Sequence, residues 1–136
     1  MSLSPARVLH IGIARDWREV YAFASRPENM AKWASGLAAG LKRDGEDWVG
    51  DGGPLGEIRI RFTPPNDLGV IDHTVRMQTG QEVENHLRVI RNGDGAEVLF
   101  TLIRRDDQDD AAYEADAAHI RKDLAALKAV LEGGGA

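Results

Sequence analysis

Apolar residues along the chain change their spacing three times, and each change marks a different kind of element. Arg7 to Ile13 is rich in Val, Leu and Ile and predicts a first strand, after which Asp16 stands where it can cap a helix. Trp17, Val20, Tyr21 and Phe23 include helical spacings up to Ala24, before Ser25 to Pro27 interrupts them. Pro27 opens a second short helix, in which Met30 and Trp33 share a face and which Gly36 stops.

Beyond Gly36 the pattern shortens to strands separated by Gly, Pro, Asn and Asp clusters. Six more strands are expected, at Leu37 to Arg43, Asp47 to Gly50, Gly56 to Phe62, Leu68 to Met77, Glu82 to Arg91 and Ala96 to Arg104. The order Glu57, Ile58, Arg59, Ile60, Arg61, Phe62 alternates cleanly, so Ile58, Ile60 and Phe62 point inward and one sheet face is solvated. Val98, Leu99, Phe100, Leu102 and Ile103 leave the inward parity of the last strand open. A central strand covered partly on both sides has this pattern.

Two of these strands form a hairpin about Gly80, from Leu68 to Arg91. Centred on that glycine, it sets Arg76 opposite Glu84, Asp72 opposite Arg88, Ile71 opposite Val89 and His73 opposite Leu87. Opposite charges then gather on one face and apolar pairs on the other, as cross-strand pairing favours. His73 and Asn85 fall on the apolar face with Ile71, Val75, Leu87 and Val89. Polar groups there need a partner, whether a side chain, a water or a ligand, and this points to a cavity.

The last element is the plainest: Tyr113, Ala117, Ile120, Leu124, Leu127 and Leu131 step by four and three along one apolar stripe of a long helix. Asp109 and Asp110 lie at its start, where the macrodipole favours negative charge, Lys128 lies near its end, and Gly133 to Gly135 terminate it. A sheet with one apolar face and a helix with one apolar stripe bury each other, so the expected class is a two-layer α+β fold.

Composition narrows the chemistry. The 136 residues fit one domain, 1–136, with a core that needs no staples. There is no cysteine, which removes disulfides, thiolate chemistry and cysteine zinc sites. A formal charge of -5 argues against nucleic acid. The apolar run near the N-terminus is cut by Arg15 and Asp16, so no signal peptide or membrane insertion is read there, and a cytoplasmic location is expected. His10, His73, His86 and His119 lack metal-ligand spacing, GDGG at 50–53 lacks the follower of a phosphate loop, and DDQDD at 106–110 lacks the pattern of a calcium loop. Neither a metal nor any other cofactor is expected, and there is no nucleophile elbow.

The order strand, two short helices, six strands and long C-terminal helix resembles the helix-grip fold of the SRPBCC (START-like) superfamily, in particular its polyketide cyclase/dehydrase-like branch. The segments PENMAKW at 27–33, GVIDHTVRM and EVENHLRVI in the hairpin, and AEVLFTLIRR before the last helix carry the likeness, which runs from Val8 to Leu131. The resemblance implies a curved antiparallel sheet wrapped around the C-terminal helix, a hydrophobic cavity between them, and two short helices closing one end. It does not assign an activity, because members of one fold differ in function.

His73 is the histidine turned inward, where it can serve as acid or base or hydrogen-bond a ligand, although a lone inward histidine is more often a satisfied core residue. Asn85 can orient a ligand oxygen or equally tie down the helix or a water. Trp33 offers a wall and an indole donor at the cavity mouth, and it can equally pin its short helix to the sheet together with Met30. With inward-facing Phe62 and Leu87, these residues form the candidate ligand-facing set.

Three functions follow. The first is noncatalytic binding of a small hydrophobic molecule of lipid, polyketide or aromatic type, with His73 and Asn85 as anchors. The second is a cyclase or dehydratase in which His73 moves a proton. The third is an interaction module or homodimer, with Val70 and Ile90 opposite each other on the solvent face.

Overall fold

The computed structural model describes residues 2–37 and 40–133. Strand β1 (Ala6–Ile13) leads into helix α1 (Trp17–Ala24), where the Asp16 carboxylate accepts from the Arg18 N–H, and then into a 3-10 helix at Pro27–Lys32. Strands β2 (Lys42–Asp44), β3 (Asp47–Asp51), β4 (Glu57–Phe62), β5 (His73–Arg76), β6 (Glu82–Asn92) and β7 (Gly95–Ile103) follow, and helix α2 (Asp110–Glu132) ends the fold. All pairings are antiparallel in the order β1-β7-β6-β5-β4-β3-β2, so the last strand closes back on the first. This is a helix-grip arrangement of sheet, short helices and long C-terminal helix. No helix is long and apolar enough to cross a membrane among the described residues.

Every member of the apolar stripe on α2 is buried, with Ala117 and Leu127 fully enclosed. The inner sheet face answers with Leu9, Ile13, Ile58, Ile60, Leu87, Val89, Val98 and Leu102. Polar bonds pin the helix at both ends. Asp109 caps its start by accepting from the Ala112 N–H at 2.8 Å, and the Tyr113 hydroxyl donates to the Leu102 carbonyl at 3.2 Å. At the other end Lys128 donates to the Gly12 carbonyl at 2.7 Å, and Arg15 donates to the Leu131 carbonyl at 2.9 Å. The open parity of β7 resolves to Ala96, Val98, Phe100 and Leu102 inward, in register with the inward residues of β6.

Three expectations are corrected. The strand expected from Leu37 begins only at Lys42, and positions 38 and 39 lie outside the described residues, as do Gly134 and Gly135. The strand expected over Leu68 to Met77 is regular only over His73–Arg76. The hairpin register is slipped by two residues: His73 faces Asn85, not Leu87, Arg76 faces Glu82, not Glu84, and Val70 bridges Arg88, so it does not face Ile90.

The turn explains the slip. Met77 N–H donates to the Gln81 carbonyl and Gly80 N–H to the Met77 carbonyl, both at 2.9 Å, so the loop is Gln78, Thr79 and Gly80. Gly80, at φ 90, takes the left-handed last position of a three-residue loop and is not its centre. A two-residue slip leaves every side chain on its expected face, because side chains alternate with period two.

Candidate functional site

Three strands bring one row of the inner face together. Phe62 on β4 faces His73 on β5, and His73 faces Asn85 on β6. The rings of Phe62 and His73 lie 5.2 Å apart between centroids, tilted by 32°. Below this row Ile71, Leu87 and Val89 are fully buried, whereas Phe62, Val75, Val83 and Asn85 stay only partly covered. The inner face is therefore sealed in the middle of the sheet and less completely covered toward the turn of the hairpin.

Hydrogen bonds fix the imidazole. Nδ1 of His73 lies 2.9 Å from the Ile71 carbonyl oxygen, so it carries the proton and donates. In the neutral ring Nε2 is then an acceptor, and the side-chain amide nitrogen of Asn85 lies 3.3 Å from it as donor. Burial pushes the His73 pKa below its ordinary value, against smaller opposing contributions from the Ile71 carbonyl and the Asp72 charge. His73 is thus a neutral ring with a basic lone pair on an apolar face.

The other predicted residues lie in the buried core. Met30 and Trp33 are buried at 4% and 7% exposure on and just after the 3-10 helix, and Leu87 is buried next to the row on β6. The indole Nε1 of Trp33 is the buried side-chain polar atom without a hydrogen-bond partner among the described residues. A buried donor left unpaired costs about 1–3 kcal/mol. The Tyr21 hydroxyl accepts from the Asn66 N–H at 2.9 Å and orders the loop before β5.

Sequence reasoning missed what lies behind the row. On the outer face, Arg61, Thr63, Asp72, Thr74, Glu84 and His86 flank a groove of about 340 Å³ that Phe62, His73 and Asn85 also line. Asp72 is its node: it accepts from Arg88 Nη2 at 2.8 Å, Arg88 Nε at 3.0 Å and the Leu87 N–H at 3.0 Å, with His86 Nδ1 at 3.4 Å. Chiefly the Arg88 bonds hold its pKa at about 2. The opposite charges of Asp72 and Arg88 were a legible signal; the bond to the Leu87 backbone was not. A smaller neighbouring depression is lined by Asp47, Arg59, Arg61, Thr74, Arg76 and Glu82. Neither concavity includes a residue of α2. No cluster of three or more His, Asp or Glu side chains able to hold a metal occurs among the described residues.

No family model and no curated protein matches the sequence. Solved structures do match the fold. DynU16, a protein of the dynemicin biosynthetic locus, superposes with a TM-score of 0.72 at 14% identity over 95% of this chain, which spans 48% of DynU16. CalU16 from Micromonospora echinospora gives 0.70 at 13% identity over 96% of this chain and 76% of its own. The Aha1 dimer from Colwellia psychrerythraea gives 0.66 at 15% identity, covering 97% of this chain and 99% of its own. Likeness at this level of identity is a likeness of fold, and it places the chain among helix-grip architectures.

Proposed function

We propose that the protein binds a small, largely apolar molecule between the inner face of the sheet and α2, anchored by His73 and Asn85. The observation that carries this reading is a neutral histidine and an amide side by side on an apolar face, at the end where Phe62, Val75 and Asn85 are incompletely covered. Binding sites of this class combine apolar walls with a few placed polar groups. Trp33 adds a buried N–H that an acceptor oxygen of the bound molecule would satisfy, and Met30 and Leu87 supply apolar surface. The fold neighbour from the dynemicin biosynthetic locus is compatible with such a role.

Titration with a fluorescent apolar probe tests it. Saturable binding that weakens several-fold in Asn85→Leu, with the fold retained, supports the reading; no binding by any of a panel of apolar probes contradicts it.

A catalytic reading has one observation in its favour, the unprotonated Nε2 of His73, which can accept a proton from a bound substrate that displaces the Asn85 amide from it. Under that reading His73→Gln abolishes turnover while binding persists. The self-association reading rests on exposed outer-face residues: Val8, Ile90 and Ile103 are about half exposed. Mass measurement in solution decides it.

A further inference from the structure

Ile71 and Leu87 face each other across the hairpin, where a regular antiparallel pair would exchange two backbone hydrogen bonds. Only one forms: the Ile71 N–H donates to the Leu87 carbonyl at 2.8 Å. The Leu87 N–H turns instead to Oδ1 of Asp72 at 3.0 Å, and the Ile71 carbonyl, released from the ladder, accepts from Nδ1 of His73 at 2.9 Å. Asp72 is itself immobilised. Its own carbonyl accepts from both the N–H (2.9 Å) and the hydroxyl (2.7 Å) of Thr63, and its carboxylate is forked by Arg88.

We infer that Asp72, on the outer face, is a positioning residue for His73 on the inner face: by capturing the Leu87 N–H it frees the Ile71 carbonyl to hold the His73 proton on Nδ1. Its side chain never reaches the interior. Its effect crosses the sheet through two backbone groups. The lone pair of Nε2 therefore accepts from the Asn85 amide nitrogen, which leaves the Asn85 amide oxygen as the acceptor for a ligand, and the ligand group that meets it is a hydrogen-bond donor such as a hydroxyl. This last consequence rests on the binding reading above; the assignment of Asp72 does not.

The tautomer of His73 is read from long-range ¹H–¹⁵N correlations of the ligand-free protein near neutral pH. The expected wild-type signal is that of a ring protonated on Nδ1. Asp72→Ala returns the Leu87 N–H to Ile71 and moves the signal toward a mixture or the opposite tautomer. Asp72→Asn keeps an acceptor oxygen and the wild-type tautomer, and Arg88→Met, which removes only the ion pair, keeps it too. A wild-type ring protonated on Nε2, or an Asp72→Ala ring unchanged from wild type, overturns the inference. Should the alanine variant fail to fold, the wild type suffices: a scalar coupling across a hydrogen bond from Leu87 N to the Ile71 carbonyl carbon must be absent, and its presence overturns the inference. For the ligand, 1-naphthol is compared with 1-methoxynaphthalene. A several-fold preference for the naphthol that Asp72→Ala abolishes supports the donor requirement, and equal affinities overturn it. If neither binds, the binding reading fails while the tautomer result still decides the role of Asp72.

Discussion

Asn85 donates its side-chain amide to Nε2 of His73 across 3.3 Å, a polar pair on an otherwise apolar stretch of the inner sheet face. The pair is directly opposed in register, so its geometry is set by the pairing of β5 and β6 and not by a mobile loop. A site built on rigid strands holds its polar groups at fixed positions, which is what recognition of a small molecule requires.

His73 and Asp72 make stability pH-dependent in two stages. His73 is held neutral by burial, with a folded pKa below its ordinary value. Above about pH 6.5 the folded and unfolded rings are both neutral and nothing is lost. As pH falls below that point the unfolded chain takes up a proton that the fold refuses, so stability declines until the folded pKa is passed. Asp72 adds a second stage. Its depressed pKa of about 2 contributes on the order of 1–2 kcal/mol above pH 4, lost as pH falls through about 2. Urea midpoints against pH are expected to show both stages in wild type. The upper one disappears in His73→Gln and the lower one shrinks in Asp72→Asn; a wild-type midpoint that is flat between pH 7 and 5 contradicts the buried neutral ring.

Two glycines with the same backbone sign are expected to respond very differently to alanine. Gly69, at φ 73, packs against the Val89 backbone so closely that a Cβ would overlap the Val89 carbonyl oxygen, and its own carbonyl accepts from the Val89 N–H at 2.9 Å. Gly80, at φ 90, has open space around it. Gly80→Ala is expected to cost about 1–2 kcal/mol from the left-handed backbone alone. Gly69→Ala adds displacement of the irregular segment before β5 and is expected to cost more than about 3 kcal/mol. Chemical denaturation of both variants checks the order, and equal losses contradict it.

Trp33→Phe separates packing from hydrogen bonding. Removing a buried, unpartnered N–H relieves a desolvation cost of about 1–3 kcal/mol and offsets the smaller ring, so the empty protein is expected to change by no more than about 1 kcal/mol. A ligand that uses the indole donor is expected to bind roughly five- to tenfold more weakly to the variant. Loss of more than about 3 kcal/mol in the empty protein assigns Trp33 to packing alone.

Much of the fold was legible because the patterns that carried it are strictly periodic. The stripe from Tyr113 to Leu131 has one buried side in helical spacing, and Glu57 to Phe62 alternates without exception. The hairpin shows where such reading stops. Period-two alternation puts His73 and Asn85 on the inner face in either register, but their direct opposition depends on loop length, and a glycine marks the left-handed position of a turn without saying where its centre lies. Leu37 looked like a strand because apolar residues surround it, yet its N–H bonds back to Ala34 in a turn. In the sequence Asp72 stands out only as one of the opposite charges gathered on one face of the hairpin. Its bond to the Leu87 N–H replaces a backbone bond with a side-chain one, and no hydrophobic pattern encodes that substitution.

Native mass spectrometry of the purified protein, followed by denaturation and identification of any released compound, tests the central proposal most directly. The account predicts a stoichiometric apolar molecule bearing at least one hydroxyl group, retained by wild type and depleted in Asn85→Leu. A protein that carries no such molecule and also fails to take up any of a broad panel of lipids and aromatics would contradict it.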